Sequence, residues 1–296
     1  EERGTGMHAL ITGGAGFVGS HLAEELLDKG YSVTVVDDLS TGRTGNISQL
    51  VDQPGFRFCE GSVADEILLD RLVSECDVIL HMAAAVGVHL IIEDPVNVIE
   101  TNILGTHSVL KTASRHGTKV LVASTSEIYG KSSHVPFSED DDRLLGPTNK
   151  ARWSYSASKA VDEFLALAYH RKMGLPVVIF RLFNTVGPRQ SGHYGMVVPR
   201  FVDQALRGER LTIYGDGKQT RCFCDVEDVV QAVTALADTP EAIGHAFNIG
   251  SIHEVTILDL ARKVLKAADN SDHKAGDDAR FKFVRYDQAY ETGFED

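Results

Sequence analysis

The chain has 296 residues, 43% of them hydrophobic, and a formal net charge of −13. That length supports one large domain or two unequal ones, and the acidic balance argues against nucleic acid as the main partner, because phosphate backbones need clustered Lys and Arg. The four cysteines form neither a disulfide framework nor a paired zinc pattern, no apolar run approaches the roughly 20 residues of a membrane helix, and no signal peptide is visible; a metal-free protein of the reducing cytoplasm is expected.

Strand-like and helix-like segments alternate from the start. His8 to Thr12 is a short apolar strand, Phe17 to Lys29 has helical spacing with Val18, Leu22, Leu26 and Leu27 on one side, and Gly30 ends it. Tyr31 to Asp37 is β-branched and reads as a buried strand. Further strands are expected at Phe56 to Cys59, Val78 to Met82, Lys119 to Ala123 and Val177 to Arg181. The main helices are expected at Asp94 to Arg115 and Tyr155 to Met173. This rhythm predicts an α/β fold, a doubly wound parallel sheet of Rossmann type. After Phe183 the chain turns loop-rich and mixed. We expect a dinucleotide domain over 1–183 and a smaller substrate lobe over 184–296, with about 222–238 packing back on the first domain. The acidic run Glu139 to Asp142 reads as a solvated loop, and Cys222 and Cys224, two apart, as core packing.

TGGAGFVGSHL begins where the first strand ends and carries Gly13, Gly14, Gly16 and Gly19. Glycines suit a tight turn whose backbone must approach a pyrophosphate, and the helix that follows offers unpaired N–H groups and a positive dipole end. Asp37 stands 18 residues beyond Gly19 at the end of the second strand, where a carboxylate accepts from ribose hydroxyls and repels the 2′-phosphate of NADP. NAD is therefore expected, with nearby Arg43 the one residue in favour of NADP.

Tyr155 and Lys159 form a YxxxK pair, one helical turn apart on one face. A lysine ammonium there should lower the tyrosine pKa toward neutrality, so that it can take a proton from a sugar hydroxyl. Ser124, Thr125, Ser126 and Glu127 follow a buried strand, where an open α/β sheet places its site. Thr125 could bind the same oxygen as Tyr155, and a carboxyl at Glu127 suggests proton chemistry beyond simple oxidation.

With these residues the chain resembles the extended short-chain dehydrogenase/reductases. The resemblance covers nearly all of it, through TGGAGFVGSHL, VVDDLSTG, HMAA, ETNILGT, STSEIYG, YSASK, RLFNTVGPR and YGDGKQTRCFCDVEDVV. Within that family it is most similar to the UDP-glucuronate decarboxylases. The resemblance implies cofactor contacts from Gly13, Gly16, Phe17, Val18 and Gly19, from Asp37, Asp38, Ser40, Thr41 and Gly42, and from Tyr155 and Lys159. It further places Ser62 and Val63 near the adenine, Ala83 near the pyrophosphate, and Asn102 and Ser124 beside the cofactor. Asn184, Val198, Tyr214 and Arg221 would hold the UDP part of the substrate, and Tyr155, Lys159, Thr125, Glu127 and Ser126 would carry the chemistry. The chain departs from the decarboxylase pattern at Ser62 (often Asp), across Ala83 to Val88 (usually an ASPASP run) and at Met196 (usually Arg), and it stops at GFED where relatives usually continue.

The implied reaction is decarboxylation of UDP-glucuronate to UDP-xylose through a 4-keto sugar. The rivals are a UDP-sugar 4-epimerase, a nucleotide-sugar 4,6-dehydratase and a non-catalytic dinucleotide sensor. A homodimer is expected through the two long helices, with Val98, Leu104, Val109, Phe164 and Leu167 as apolar surface.

Overall fold

The computed structural model describes residues 6–87, 94–192, 196–269 and 278–285. Its centre is a seven-stranded parallel sheet. In chain order these strands are β1 (His8–Thr12), β2 (Ser32–Asp37), β3 (Phe56–Glu60), β4 (Val78–His81), β5 (Lys119–Thr125), β6 (Val177–Leu182) and, much later, β11 (Ala246–Ile249). In space the order is β11-β6-β5-β4-β1-β2-β3. The order reverses direction between β1 and β4, and an open sheet of this kind leaves a crevice at that point, beyond the carboxyl ends of its strands.

The strands are near-continuous apolar runs because both faces are covered. On one side α1 (Phe17–Asp28) and α6 (Val226–Asp238) close over Ile11, Val35, Leu80 and Phe180. Thus the segment Val226–Asp238 lies against the first helix of the chain, through Val226, Val229 and Val233. On the other side α2 (Glu66–Ser74), α3 (Pro95–His116) and α4 (Arg152–Met173) close over Leu10, Ile79, Val120 and Ile179. The ends of α3 follow local chemistry. Asp94 accepts from the Asn97 N–H, Pro95 fills the first turn, and Gly117 closes the helix at φ 69°.

A separate small core joins α5 (Val197–Leu206), α7 (Ile257–Asp269), β8 (Leu211–Tyr214) and β13 (Phe281–Val284) around Phe201, Ile213 and Leu265. Strands β9 (Thr220–Cys222) and β12 (Glu254–Thr256) pair antiparallel beside it. Between β6 and β9 the chain also makes β7 (Thr185–Val186), which pairs with β10 (Cys224–Asp225).

Several expectations need correction. Val109 is fully buried and Leu167 packs against the sheet, so these two cover the core, and Val98 is fully buried against Ala85 and Tyr155. The apolar side chains that α3 and α4 leave exposed are Val96, Ile99, Leu104, Val161 and Phe164. The acidic run is more than a solvated loop: Glu139 accepts from Arg181 through its carbonyl and from the Asn248 N–H through its carboxylate, and Asp141 accepts from the Ser138 N–H. Cys224 lies in the main core while Cys222 is half-buried on a different strand. Val88 and residues 286–296, which include GFED, lie outside the described residues.

Beneath the sheet's carboxyl edge sits a buried polar layer. Glu163 takes a bidentate hydrogen bond from Arg181, at 3.0 and 2.8 Å, and one from the Ser124 hydroxyl at 2.5 Å. Arg181 also donates to the Tyr129 hydroxyl. Pairs as buried as this are costly to break, because the remaining charge is left without a partner. They fix the relative placement of β5, β6 and α4, and so of the residues above them.

Candidate active site at the carboxyl edge of the sheet

The loop after β1 is built for close approach. Gly13 has φ +69°, and a Cβ there would stand 2.7 Å from the Ala83 nitrogen. A Cβ on Gly19 would stand 2.4 Å from the Gly13 carbonyl oxygen. The turn and the first coil of α1 therefore touch backbone to backbone. Gly16 begins the helix without a side-chain cap, so the first-turn N–H groups of Phe17, Val18 and Gly19 form a cradle suited to an anion. Asp37 lies beside it. Its carboxylate accepts from the Ala15 N–H at 2.9 Å and the Leu39 N–H at 2.8 Å. Burial pushes its pKa up, the two N–H donors pull it down, and Asp38 pushes it up again. Each oxygen retains a second lone pair for a ribose hydroxyl. These features fit a dinucleotide.

The other expected cofactor residues cluster on the same edge. Asp38, Ser40, Thr41 and Gly42 follow β2, with the Ser40 N–H bonded to Asp38. Ser62 and Val63 follow β3, and the Ser62 hydroxyl accepts from the Ala64 N–H. Ala83 follows β4, its N–H held by the Thr12 hydroxyl at 3.2 Å. Asn102, on α3, accepts from the Ala85 N–H at 2.8 Å and donates to the Ser158 hydroxyl at 3.2 Å. It thus braces the loop after β4 against both long helices.

Thr125 ends β5, and Ser126 and Glu127 form the short 3-10 turn that follows, with the Thr125 hydroxyl accepting from the Glu127 N–H at 3.2 Å. Tyr155 and Lys159 come from α4. The Ser156 hydroxyl, between them in sequence, donates to the Glu127 carbonyl at 2.6 Å and ties α4 to that turn. The Thr125 hydroxyl stands near enough to the Tyr155 phenol to favour its ionised form. Tyr155 and Thr125 are thus neighbours at the carboxyl end of β5.

One electrostatic expectation is corrected: the Tyr155 pKa is raised, not lowered toward neutrality. Burial pushes the phenol well up, the Glu127 and Asp162 carboxylates push the same way, and the Thr125 hydroxyl opposes them. The Lys159 ammonium itself is bonded to Asp162 at 2.8 Å, with both side chains buried. Glu127 points outward. Its side chain is 48% exposed and faces the Arg152 guanidinium at 3.6 Å.

Sequence reasoning also missed His81. Its ring is fully buried between the Thr12 hydroxyl at 2.8 Å and the Thr106 hydroxyl at 3.0 Å. Desolvation, with Lys159 nearby, pushes its pKa down to about 3, so it is neutral. The signal lay in HMAA, where a polar ring ends an apolar strand.

The expected UDP residues come from the segments beyond β6. The Asn184 amide donates to the Cys222 carbonyl at 2.9 Å, next to Arg221 on β9. Tyr214 ends β8, its ring under the Arg200 guanidinium at 4.2 Å, and Arg200 stands on α5 with Val198. Gln219 bonds the Tyr214 carbonyl at 3.0 Å and so joins β8 to the approach to β9. Arg221 is exposed and donates to the Thr220 carbonyl. Met196 is exposed at the start of α5. Among the described residues, no group of three His, Cys, Asp or Glu could hold a metal ion, and no helix is long and apolar enough to cross a membrane.

Comparison with known proteins agrees with this architecture. A UDP-N-acetyl-alpha-D-glucosaminuronate decarboxylase of Bacillus cytotoxicus is 43% identical over 97% of this chain and 86% of its own length. UDP-glucuronic acid decarboxylase 1 of Arabidopsis thaliana is 40% identical over 90% of this chain, which spans only 59% of that protein. A dTDP-glucose 4,6-dehydratase of Streptomyces venezuelae, solved with NAD and TYD bound, superposes with a TM-score of 0.83 at 32% identity, covering 94% of this chain and 84% of its own. The description "NAD dependent epimerase/dehydratase family" matches residues 9–250, and with the glycine turn, Asp37 and the Tyr155–Thr125 pair in place, the chain belongs to that family.

Proposed function

We propose that this protein is an NAD-dependent decarboxylase of a UDP-linked uronic acid, acting through a 4-keto intermediate, with UDP-glucuronate to UDP-xylose as the leading reaction. The observation that carries the reading is the Tyr155–Thr125 hydroxyl pair with an open carboxylate, Glu127, two residues beyond the threonine. The decarboxylases among its relatives support it, and the Bacillus relative's name adds UDP-N-acetylglucosaminuronate as a second candidate substrate.

When bound, the dinucleotide supplies a hydride acceptor and a cationic ring, held by the 13–19 turn, Asp37 and the segments after β3 and β4. Tyr155 takes the proton of the C4 hydroxyl, with Thr125 fixing that oxygen. The resulting ketone stands β to the carboxylate, so carbon dioxide can leave, and the Tyr155 and Thr125 hydroxyls hold the enolate oxygen. Glu127 supplies the proton to C5, and Tyr155 then returns its proton to the C4 oxygen as the hydride held on the dinucleotide goes back to C4, so that the sugar is reduced again and both partners are restored. The 184–296 lobe, with Asn184, Val198, Tyr214 and Arg221, grips the UDP. Arg221 is suited to phosphate as a planar fork.

The test is incubation with UDP-glucuronate and, separately, UDP-N-acetylglucosaminuronate, read by mass spectrometry and by released carbon dioxide. Loss of carbon dioxide from either supports the proposal. A product of unchanged mass with inverted C4 makes the protein an epimerase. Loss of water from a UDP-hexose makes it a dehydratase, and no reduction of NAD by any of these makes it a sensor.

Two copies pair, in this reading, across the exposed Val96, Ile99, Leu104, Val161 and Phe164 of α3 and α4. An exposed apolar face of this kind marks an interaction surface, and sedimentation at the mass of a single chain would overturn the pairing. The four cysteines are free, which fits a reducing cytoplasm and is checked by cell fractionation.

A further inference from the structure

Lys159 and Asp162 form an ion pair within one turn of α4, 2.8 Å apart, with side chains 3% and 0% exposed. Removing two charges from water is costly, and a pair repays the cost only when its remaining lone pairs are satisfied. Here they are not. Asp162 Oδ1 is buried without a hydrogen bond of good geometry, although the Thr106 hydroxyl approaches the carboxylate. α4 needs no such pair for its docking, because its contacts with α3 and the sheet run through Ser158, Ala166 and the Glu163–Arg181 bond.

The charges around Tyr155 can be followed element by element. From the turn after β5 come the Thr125 hydroxyl and the Glu127 carboxylate, the latter facing Arg152 of α4's first turn. From β4 comes His81, which is neutral. From α3 come Asn102 and Thr106, both uncharged. On α4 itself Glu163 is matched by Arg181. Among the described residues that leaves Lys159 as the cation able to support a phenolate, and Asp162 opposes it.

We propose that Asp162 is a positioning residue for the reaction. It anchors the Lys159 ammonium and cancels its charge, so that Tyr155 rests as a phenol. The inference rests on the proposed function only in taking Tyr155 as the base. It makes that base conditional: the phenolate is favoured when the cationic cofactor ring and the substrate hydroxyl are present, and idle deprotonation is suppressed.

The test needs no nucleotide sugar, so its failure is separate from that of the decarboxylase reading. Phenolate absorbance is titrated against pH and the curve of the matching Tyr155→Phe protein is subtracted, which isolates Tyr155. In the unmutated chain Tyr155 should remain protonated through the mildly alkaline range. In Asp162→Asn, or in Asp162→Ser if the first does not fold, the phenolate should appear about one pH unit lower or more, because a nearby negative charge is gone and the ammonium is released. A purely structural Asp162 would lower the melting temperature and leave the titration in place, and that result overturns the proposal. So does a phenolate already formed near neutral pH in the unmutated chain. If neither single variant folds, Lys159→Met with Asp162→Leu replaces the pair by apolar groups, which buried pairs often tolerate. Tyr155 should then titrate as in the unmutated chain, since two cancelling charges have gone together, and a displacement of about one unit or more in either direction overturns the inference.

Discussion

Tyr155→Phe is expected to leave a folded chain that binds UDP normally and no longer transfers hydride from a UDP-uronate to NAD. The ring of Tyr155 packs against Ala85 and Val98, and phenylalanine keeps that contact. What is lost is the phenolic oxygen beside Thr125, and with it the proposed base and one of the two proposed donors to the C4 oxygen. The expected fall in single-turnover NAD reduction is about 10²–10⁴-fold, the usual weight of general acid–base catalysis. The pH dependence of the unmutated chain has a defined sign. Burial and the two nearby carboxylates raise the Tyr155 pKa, so the basic form is scarce at neutral pH and the oxidation step should quicken as pH rises. Stopped-flow absorbance of the reduced nicotinamide reads both effects. Reduction of NAD at the unmutated rate by the Tyr155→Phe protein would place the base elsewhere.

The Rossmann half of the fold was legible because its signals are local. The strand ends differ from expectation by a residue or two, and β5 runs through to Thr125 because its register with β6 continues to Leu182. The start of α4 was missed by three residues. Ala151 offers no side-chain cap, so nothing in the sequence announced that the helix begins at Arg152. The pairing of β11 with β6 was not legible either. A four-residue strand that returns across more than sixty residues of chain to the edge of the first sheet leaves no periodic trace.

At the site, residue identity was legible and electrostatics were not. Helical spacing put Tyr155 and Lys159 on one face, but it could not say which of Lys159's neighbours would take its charge. Asp162 stands three residues after Lys159 and Glu163 four, so both are within helical reach. Burial decided the outcome: Glu163 turned to Arg181 and left Asp162 to the lysine. His81 was hidden for a similar reason, since its partners Thr12 and Thr106 lie on β1 and α3, far away in sequence. The orientation of Glu127 was not legible, because a residue just beyond a buried strand can turn outward as readily as inward, and here it turns toward Arg152.

That outward position sharpens what Glu127 should do. Epimerisation needs oxidation at C4, rotation of the sugar and reduction, with no proton delivered to C5. Decarboxylation leaves an enolate that must be protonated at C5, and Glu127 is separated from the Tyr155–Thr125 hydroxyl pair by little more than one residue of backbone. Because the carboxyl reaches solvent, its proton is renewed from water each turn, so in heavy water the pentose product should carry deuterium at C5. Glu127→Gln keeps the shape and removes the transferable proton. Overall turnover should fall by about 10²–10⁴-fold, while the first reduction of NAD and the affinity for UDP change little, since neither step uses that proton. Rapid-quench product analysis alongside nicotinamide absorbance separates the two half-reactions. Undiminished turnover with full deuterium at C5 in the Gln variant would show that the enolate takes its proton directly from water and that Glu127 serves only to hold Arg152.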